Sequence, residues 1–149
     1  MTLGEQFERY VLNALANHRL PLSKAAIRLL VMIAAHESGG FRYVKQMGNG
    51  PARGLLQMEP IGLEEVRRYV VLRPERFRSL RLPEHLDELI FNTELAIVCA
   101  RAFFMAKPEP LPDENNIEGL AKYAKQHWNT EAGKARWEDY ANAYRELNA

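Results

Sequence analysis

The stretch KAAIRLLVMIAAHE, running from Lys24 to Glu37, constrains this chain more than any other. Ile27, Leu30, Val31 and Ala34 fall at helical spacing on a nearly all-apolar face, so the segment has to be buried among other elements. Ser23 stands where a helix N-cap belongs. Gly39 and Gly40 follow at once, and glycine tolerates the left-handed backbone that ends helices. The pattern predicts a central helix over Lys24–Glu37 whose last residue is a carboxylate. A chain built round such a helix must supply further helices to cover it.

The chain has the material to do so. Its 149 residues match one ordinary domain, 47% are hydrophobic and 26% charged, which excludes wholesale disorder. Twenty basic against nineteen acidic residues leave a net charge of +1, so no overall charge draws the chain toward nucleic acid or an anionic membrane. The single Cys99 allows no internal disulfide and no cysteine-rich zinc module. The most apolar run, residues 25–35, is interrupted by Arg28 and falls short of the ~20 residues that span a bilayer. Glu5, Glu8 and Arg9 interrupt the N-terminal region where a signal peptide needs an apolar core, so no export signal is expected.

No repeat or linker divides the sequence, and one domain over residues 1–149 is expected. A first helix is predicted over residues 4–17, ahead of Pro21. After the central helix, Gly48, Asn49, Gly50 and Pro51 cluster between short apolar runs, the pattern of a β-hairpin or extended loop. Pro60 suits the first turn of a helix reaching about Leu72. One long helix is then expected over residues 84–105, with others over 117–128 and 134–147, the last carrying Trp137, Tyr140 and Tyr144 on one face. The fold class is mainly α, with a small β excursion after Glu37.

Glu37 is the first candidate for chemistry. A carboxylate at the end of an apolar helix is partly desolvated and lies at the negative end of the helix dipole; both effects favour its neutral form and raise its pKa. A general acid working near neutral pH needs that shift. The same position also suits an ordinary last-turn glutamate.

The neighbouring residues favour the acid. HESGGF (residues 36–41), followed by GPARGLLQMEP (residues 50–60), resembles the soluble lytic transglycosylase branch of the lysozyme-like superfamily. Those domains carry Glu-Ser at a helix end, a short β region, and a Gly-Ala-x-Gly-Leu-x-Gln stretch leading to proline. Asn92 with Ala96 and Ala100 is similar to a helical Asn of the family. Trp128, Asn129, Thr130, Gly133 and Lys134 look most like the small lysozyme-like proteins of tailed bacteriophages. The likeness spans about residues 22–135. Pro51 stands where alanine is usual, and Trp128 where tyrosine is.

The resemblance implies a lysozyme-like fold and cleavage of the β-1,4 bond between N-acetylmuramic acid and N-acetylglucosamine in peptidoglycan. Glu37 would be the single acid and base of a lytic transglycosylase, with the 6-hydroxyl of the sugar as nucleophile; intramolecularity of that kind can remove ~7–11 kcal/mol from a barrier. Ser38, Gly54, Gln57, Tyr123, Trp128 and Asn129 are the substrate-binding candidates. Ser38 suits a helix-end structural role as well, and Tyr123 and Trp128 suit core packing as well as sugar stacking. A hydrolytic muramidase of the same fold needs a second carboxylate, for which Glu59 is the candidate, with Glu64 and Glu65 close behind; the three also fit the start of the Pro60 helix.

No cofactor or metal is expected: His36 lacks a second histidine four residues on, and His18, His85 and His127 are scattered. Cys99 reads as a small core residue. Arg67, Arg68, Arg73, Arg76, Arg78 and Arg81 stand against Glu75 alone, which suits a solvated face, acidic peptide stems or nucleic acid. A DNA-binding helical module and a non-enzymatic virion part are therefore the competing classes, although no nucleic-acid partner is expected. With no export signal, the protein would be made in a host cytoplasm. It would reach the wall through a virion or through a lesion opened by a partner, as an endolysin does.

Overall fold

A computed structural model describes residues 1–44, 50–129 and 133–149. It is mainly helical. The elements are α1 (Leu3–Asn17), α2 (Lys24–Glu37), α3 (Pro60–Val71), α4 (Glu88–Phe91), α5 (Thr93–Met105), α6 (Ile117–Ala124), a π-helical turn (Lys125–Asn129) and α7 (Trp137–Leu147). The turn expected at Gly48 and Asn49, and the match at Thr130, lie outside the described residues.

The central helix occupies the span its sequence dictates. Ser23 Oγ accepts from the Ala26 amide at 3.2 Å, and every residue from Leu29 to Ala35 is buried. Helices α1, α5, α6 and α7 all pack on α2, and α3 covers α5. Leu15, Leu29, Leu30, Met32, Ile33, Ile97, Leu120 and Tyr140 form the fully buried centre. Truncating any one of these leucines or isoleucines to alanine has a typical cost of about 2–5 kcal/mol. Thr2 and Glu5 close a capping box at the start of α1, satisfying two amide donors that the helix leaves open. Cys99 is completely buried, and burial pushes its thiol up to about 12, so it stays an inert core side chain.

Four expectations are corrected. The helix predicted over residues 84–105 is two helices, because Asn92 leaves the helical region (φ −120°, ψ 85°) and its Oδ1 accepts from the Leu95 amide at 3.0 Å. Asn92 is therefore the N-cap of α5, its side chain competing with the backbone for the first-turn donors. The helix over 117–128 keeps α geometry only to Ala124 and then widens into the π-helical turn, and α7 starts at Trp137, three residues beyond the expected start at 134. Of the β excursion the described residues show one antiparallel bridge between Arg53 and Met58, whose two N–H···O bonds are both 3.0 Å, and no strand. Leu56 and Met58 turn into the core and Pro60 begins α3 two residues later, so the chain beyond Met58 has no length to extend the bridge.

Among the described residues no helix is long and apolar enough to cross a membrane.

Candidate active site

Glu37 closes α2, and the backbone beyond it turns sharply. Gly39, Gly40 and Phe41 all have positive φ (61°, 73° and 71°), and the Gly40 amide returns to Ala35 O at 2.8 Å. This abrupt end leaves the Glu37 carboxyl on the wall of a cleft of about 1030 Å³. The opposite walls come from the loop ahead of α3, the first turns of α3, the end of α5 and the π-helical turn.

Tyr140, fully buried on α7, donates its hydroxyl to Glu37 Oε1 at 2.6 Å. Burial pushes Glu37 up to about 7, the neighbouring Glu59 carboxylate adds to the rise, and the Tyr140 bond opposes it. Burial and the Glu37 carboxylate together drive the Tyr140 phenol far above its usual range, so it is always the donor. Oε1 consequently accepts in both protonation states, and the proton of the neutral acid belongs on Oε2. His36 packs its ring against Tyr140 (centroids 4.3 Å apart), and burial lowers its pKa, with Asp139 opposing.

Five of the candidates named from sequence meet in the cleft: Glu37, Gln57, Glu59, Trp128 and Asn129. Gln57, at φ 56°, donates Nε2 to Gly54 O at 2.7 Å. Trp128 donates Nε1 to Leu56 O at 2.9 Å and packs edge-on to Phe103, so one side is anchored in the core while the residue still lines the cleft. Glu65 also lines the cleft but is paired with Lys107 at 3.3 Å, and Glu64 pairs with Arg67.

Three candidates are not brought there. Ser38 is fully buried; its Oγ donates to Ala34 O (2.5 Å) and accepts from the Phe41 amide (2.7 Å). It holds the turn that releases Glu37 and does not meet a ligand. Ser38→Ala is therefore expected to lower stability by about 1–2 kcal/mol in urea titration while leaving KM for any cleft substrate unchanged. A raised KM with unaltered stability would restore the serine to the binding surface. Gly54 (φ 84°) does need its missing side chain, but for Leu89: a Cβ would sit 3.0 Å from the Leu89 carbonyl oxygen. Tyr123 is 6% exposed, donates its hydroxyl to Glu109 O at 2.9 Å, and packs against His127 and Phe104. Its apolar ring is more useful to the core than to the cleft.

Sequence reasoning missed Tyr140 as a site residue. Its signal was present, since a tyrosine on the buried face of an amphipathic helix needs an acceptor for its hydroxyl. What the sequence does not carry is which acceptor, 103 positions away, the packing of α2 on α7 supplies.

The arginine-rich stretch is largely engaged within the protein. Arg67 binds Glu64 and the Pro83 and Glu84 carbonyls, Arg73 lies over the Tyr69 ring at 3.9 Å, and Arg78 and Arg81 pair with Glu75 and Glu88. No cluster of three or more His, Cys, Asp or Glu side chains able to hold a metal ion occurs among the described residues.

Fold and site together define a mainly helical protein whose Glu37 carboxyl, raised by burial, lines a cleft of about 1030 Å³. The chain matches no family model, no curated protein and no solved structure.

Proposed function

We propose that the protein is a lysozyme-like enzyme that cleaves peptidoglycan glycan strands, with Glu37 as acid and then base of a lytic transglycosylase reaction. The observation that carries this reading is the half-buried Glu37 carboxyl, poised at about 7 on the wall of a cleft large enough for several sugar rings. Such an acid is protonated when substrate binds and becomes a competent base once it has given up its proton. In the proposed step Oε2 protonates the glycosidic oxygen, the C1–O bond of the muramic acid breaks, and the 6-hydroxyl of the same sugar attacks C1. Its proton returns to Glu37, so no water is consumed and the product carries a 1,6-anhydro ring. Gln57 and Asn129 offer amides to the N-acetyl groups, and Trp128 offers an indole edge to a sugar ring.

Glu59 supports a second reading, hydrolysis by a muramidase. It lines the same cleft, and its charge is felt by Glu37, so it could serve as base toward a water molecule. Mass spectrometry of digested peptidoglycan separates the two: muramic-acid ends one water lighter than a reducing sugar mean transglycosylation, and full-mass ends mean hydrolysis. Intact wall after prolonged digestion would remove both. Delivery by a virion or through a partner's membrane lesion, in the setting of a tailed bacteriophage, completes the proposal. A wall-binding part of a virion without activity is the outcome left if cleavage fails.

The same acid predicts the pH dependence. Because Glu37 must begin protonated, kcat/KM should fall on the alkaline side with a midpoint near the pKa of about 7. Initial rates on purified wall between pH 5 and 9, at constant ionic strength, check this; an alkaline midpoint near that of an ordinary glutamate contradicts the assignment.

A further inference from the structure

Helix α3 starts at the cleft and ends in a tip that the described residues leave uncovered. Every residue from Val71 to Arg76 is exposed, and the two bulky aliphatic ones, Val71 and Leu72, are 72% and 77% exposed. Arginines surround them. Arg67, Arg78 and Arg81 are matched by Glu64, Glu75 and Glu88. Arg68, Arg73 and Arg76 are exposed and meet no carboxylate among the described residues. We propose that this end of α3 docks on an anionic lipid surface, with Val71 and Leu72 entering the headgroup layer and the three unmatched arginines facing lipid phosphates.

The placement of the charges is what selects the partner. Arg68 stands four residues before Leu72, one helical turn back on the same face. Arg73 lies over the Tyr69 ring at 3.9 Å and donates to Tyr69 O at 3.0 Å, and Arg76 donates to the Tyr69 hydroxyl at 3.3 Å. These contacts hold two guanidinium groups beside the tip without neutralising them. An anionic bilayer suits both halves of such a surface: aliphatic side chains gain by leaving water, and arginines near the headgroups gain from the lipid phosphates. Duplex nucleic acid would use the arginines and leave Val71 and Leu72 in water, and the Tyr69 face that could stack on a base is taken by Arg73. A second copy of the chain would set three unmatched arginines against three more.

The net charge of +1 gives the molecule as a whole no pull toward a membrane, so the attraction is confined to this end. Ile61, on the cleft wall, and Leu72 lie about 16 Å apart along the axis of α3 at ~1.5 Å per residue, so tip and cleft occupy opposite ends of one helix. Phe91 provides the contrast. It is 79% exposed, yet its helix α4 carries Glu88 behind an Asp87 cap and no arginine. Exposure alone would make Phe91 a docking residue, whereas the proposal assigns it none of the binding.

Co-sedimentation of the whole chain with lipid vesicles tests this and requires no activity at Glu37. The protein should pellet with phosphatidylcholine vesicles that contain phosphatidylglycerol and stay in the supernatant with phosphatidylcholine alone. Raising salt from about 0.1 M to about 1 M, which cuts the Debye length from ~10 Å to ~3 Å, should weaken the binding. Arg68→Gln and Arg76→Gln should each lower the partition constant about fivefold. Leu72→Ser should lower it about tenfold, and Phe91→Ser should leave it unchanged. Val71→Ser repeats the apolar arm if Leu72→Ser does not fold. No binding to either vesicle, equal binding to both, or equal losses in Phe91→Ser and Leu72→Ser overturns the proposal. So does binding that the arginine variants weaken and both serine variants at the tip leave intact, or tighter binding to duplex DNA than to the mixed vesicles; each would make the tip a polyanion site. A dimer in sedimentation velocity that Leu72→Ser dissolves would overturn it in favour of a second copy of the chain.

Discussion

Glu37→Gln is expected to abolish glycan cleavage and, at pH 8, to make the protein more stable. Glutamine keeps the volume of the side chain and an acceptor for the Tyr140 hydroxyl, but it has no proton to deliver. Loss of a general acid–base group typically removes about 10²–10⁴-fold in rate, and with no second protein carboxylate required by the transglycosylase route the loss should fall at the upper end. The stability gain follows from the same pKa. Glu37 titrates at about 7 in the folded protein against 4.5 as an unperturbed group. Between those values the folded state binds more protons than the unfolded state, so the wild-type protein loses stability as pH rises from about 4.5 to about 7 and stays lower above it.

Glutamine has no such penalty, and the variant should exceed the parent by roughly 1–3 kcal/mol at pH 8, with the gap closing below pH 4.5. His36 and His127 also titrate with lowered pKa values, but both are present in the two proteins and cancel in the comparison. Urea midpoints at pH 4.5 and 8, paired with rates on purified wall, measure both halves. A stability difference that is the same at the two pH values means that Glu37 is not held against its ionised form. Retained lysis means that another group donates the proton.

Gly54→Ala should be the most damaging single-atom change in the loop ahead of α3. At φ 84° any L-residue sits in a disfavoured region, a cost of about 1–2 kcal/mol. The added Cβ would also lie 3.0 Å from the Leu89 carbonyl oxygen and 3.1 Å from its Cβ, inside a helix that cannot retreat because Leu89 is buried. Together these predict a loss of about 2–4 kcal/mol, read from the denaturation midpoint. The loop also carries Leu56, whose carbonyl anchors Trp128, so activity should fall with stability. Gly62→Ala is the contrasting case: its nearest neighbour would be Met58 Cγ at 3.5 Å, it lies in helix α3, and a neutral or slightly stabilising effect is expected. Equal effects at the two positions would mean that the loop around Gly54 adjusts freely to a side chain.

The helix plan was legible where local chemistry is strong. Ser23, the apolar run after it and the Gly39–Gly40 stop define α2 from sequence, and Pro60 marks the first turn of α3. Legibility failed where one side chain overrides a periodic pattern. Asn92 caps α5 in the middle of an unbroken apolar period, and the π-helical turn at Lys125–Asn129 leaves no mark in the spacing of hydrophobic residues. Ser38, Gly54 and Tyr123 show the same limit at the site: each residue is needed, yet its partner is the protein itself.

What the sequence determined alone is the position of a carboxylate at the dry end of a buried helix, because helix periodicity, capping and burial act over a few residues and are written locally. The tertiary structure decided its chemistry. A hydroxyl from α7 and a carboxylate from the start of α3 converge on Glu37 from remote parts of the chain. The energies of burial and hydrogen bonding that set a proton's affinity depend on distance in space, which sequence order does not record.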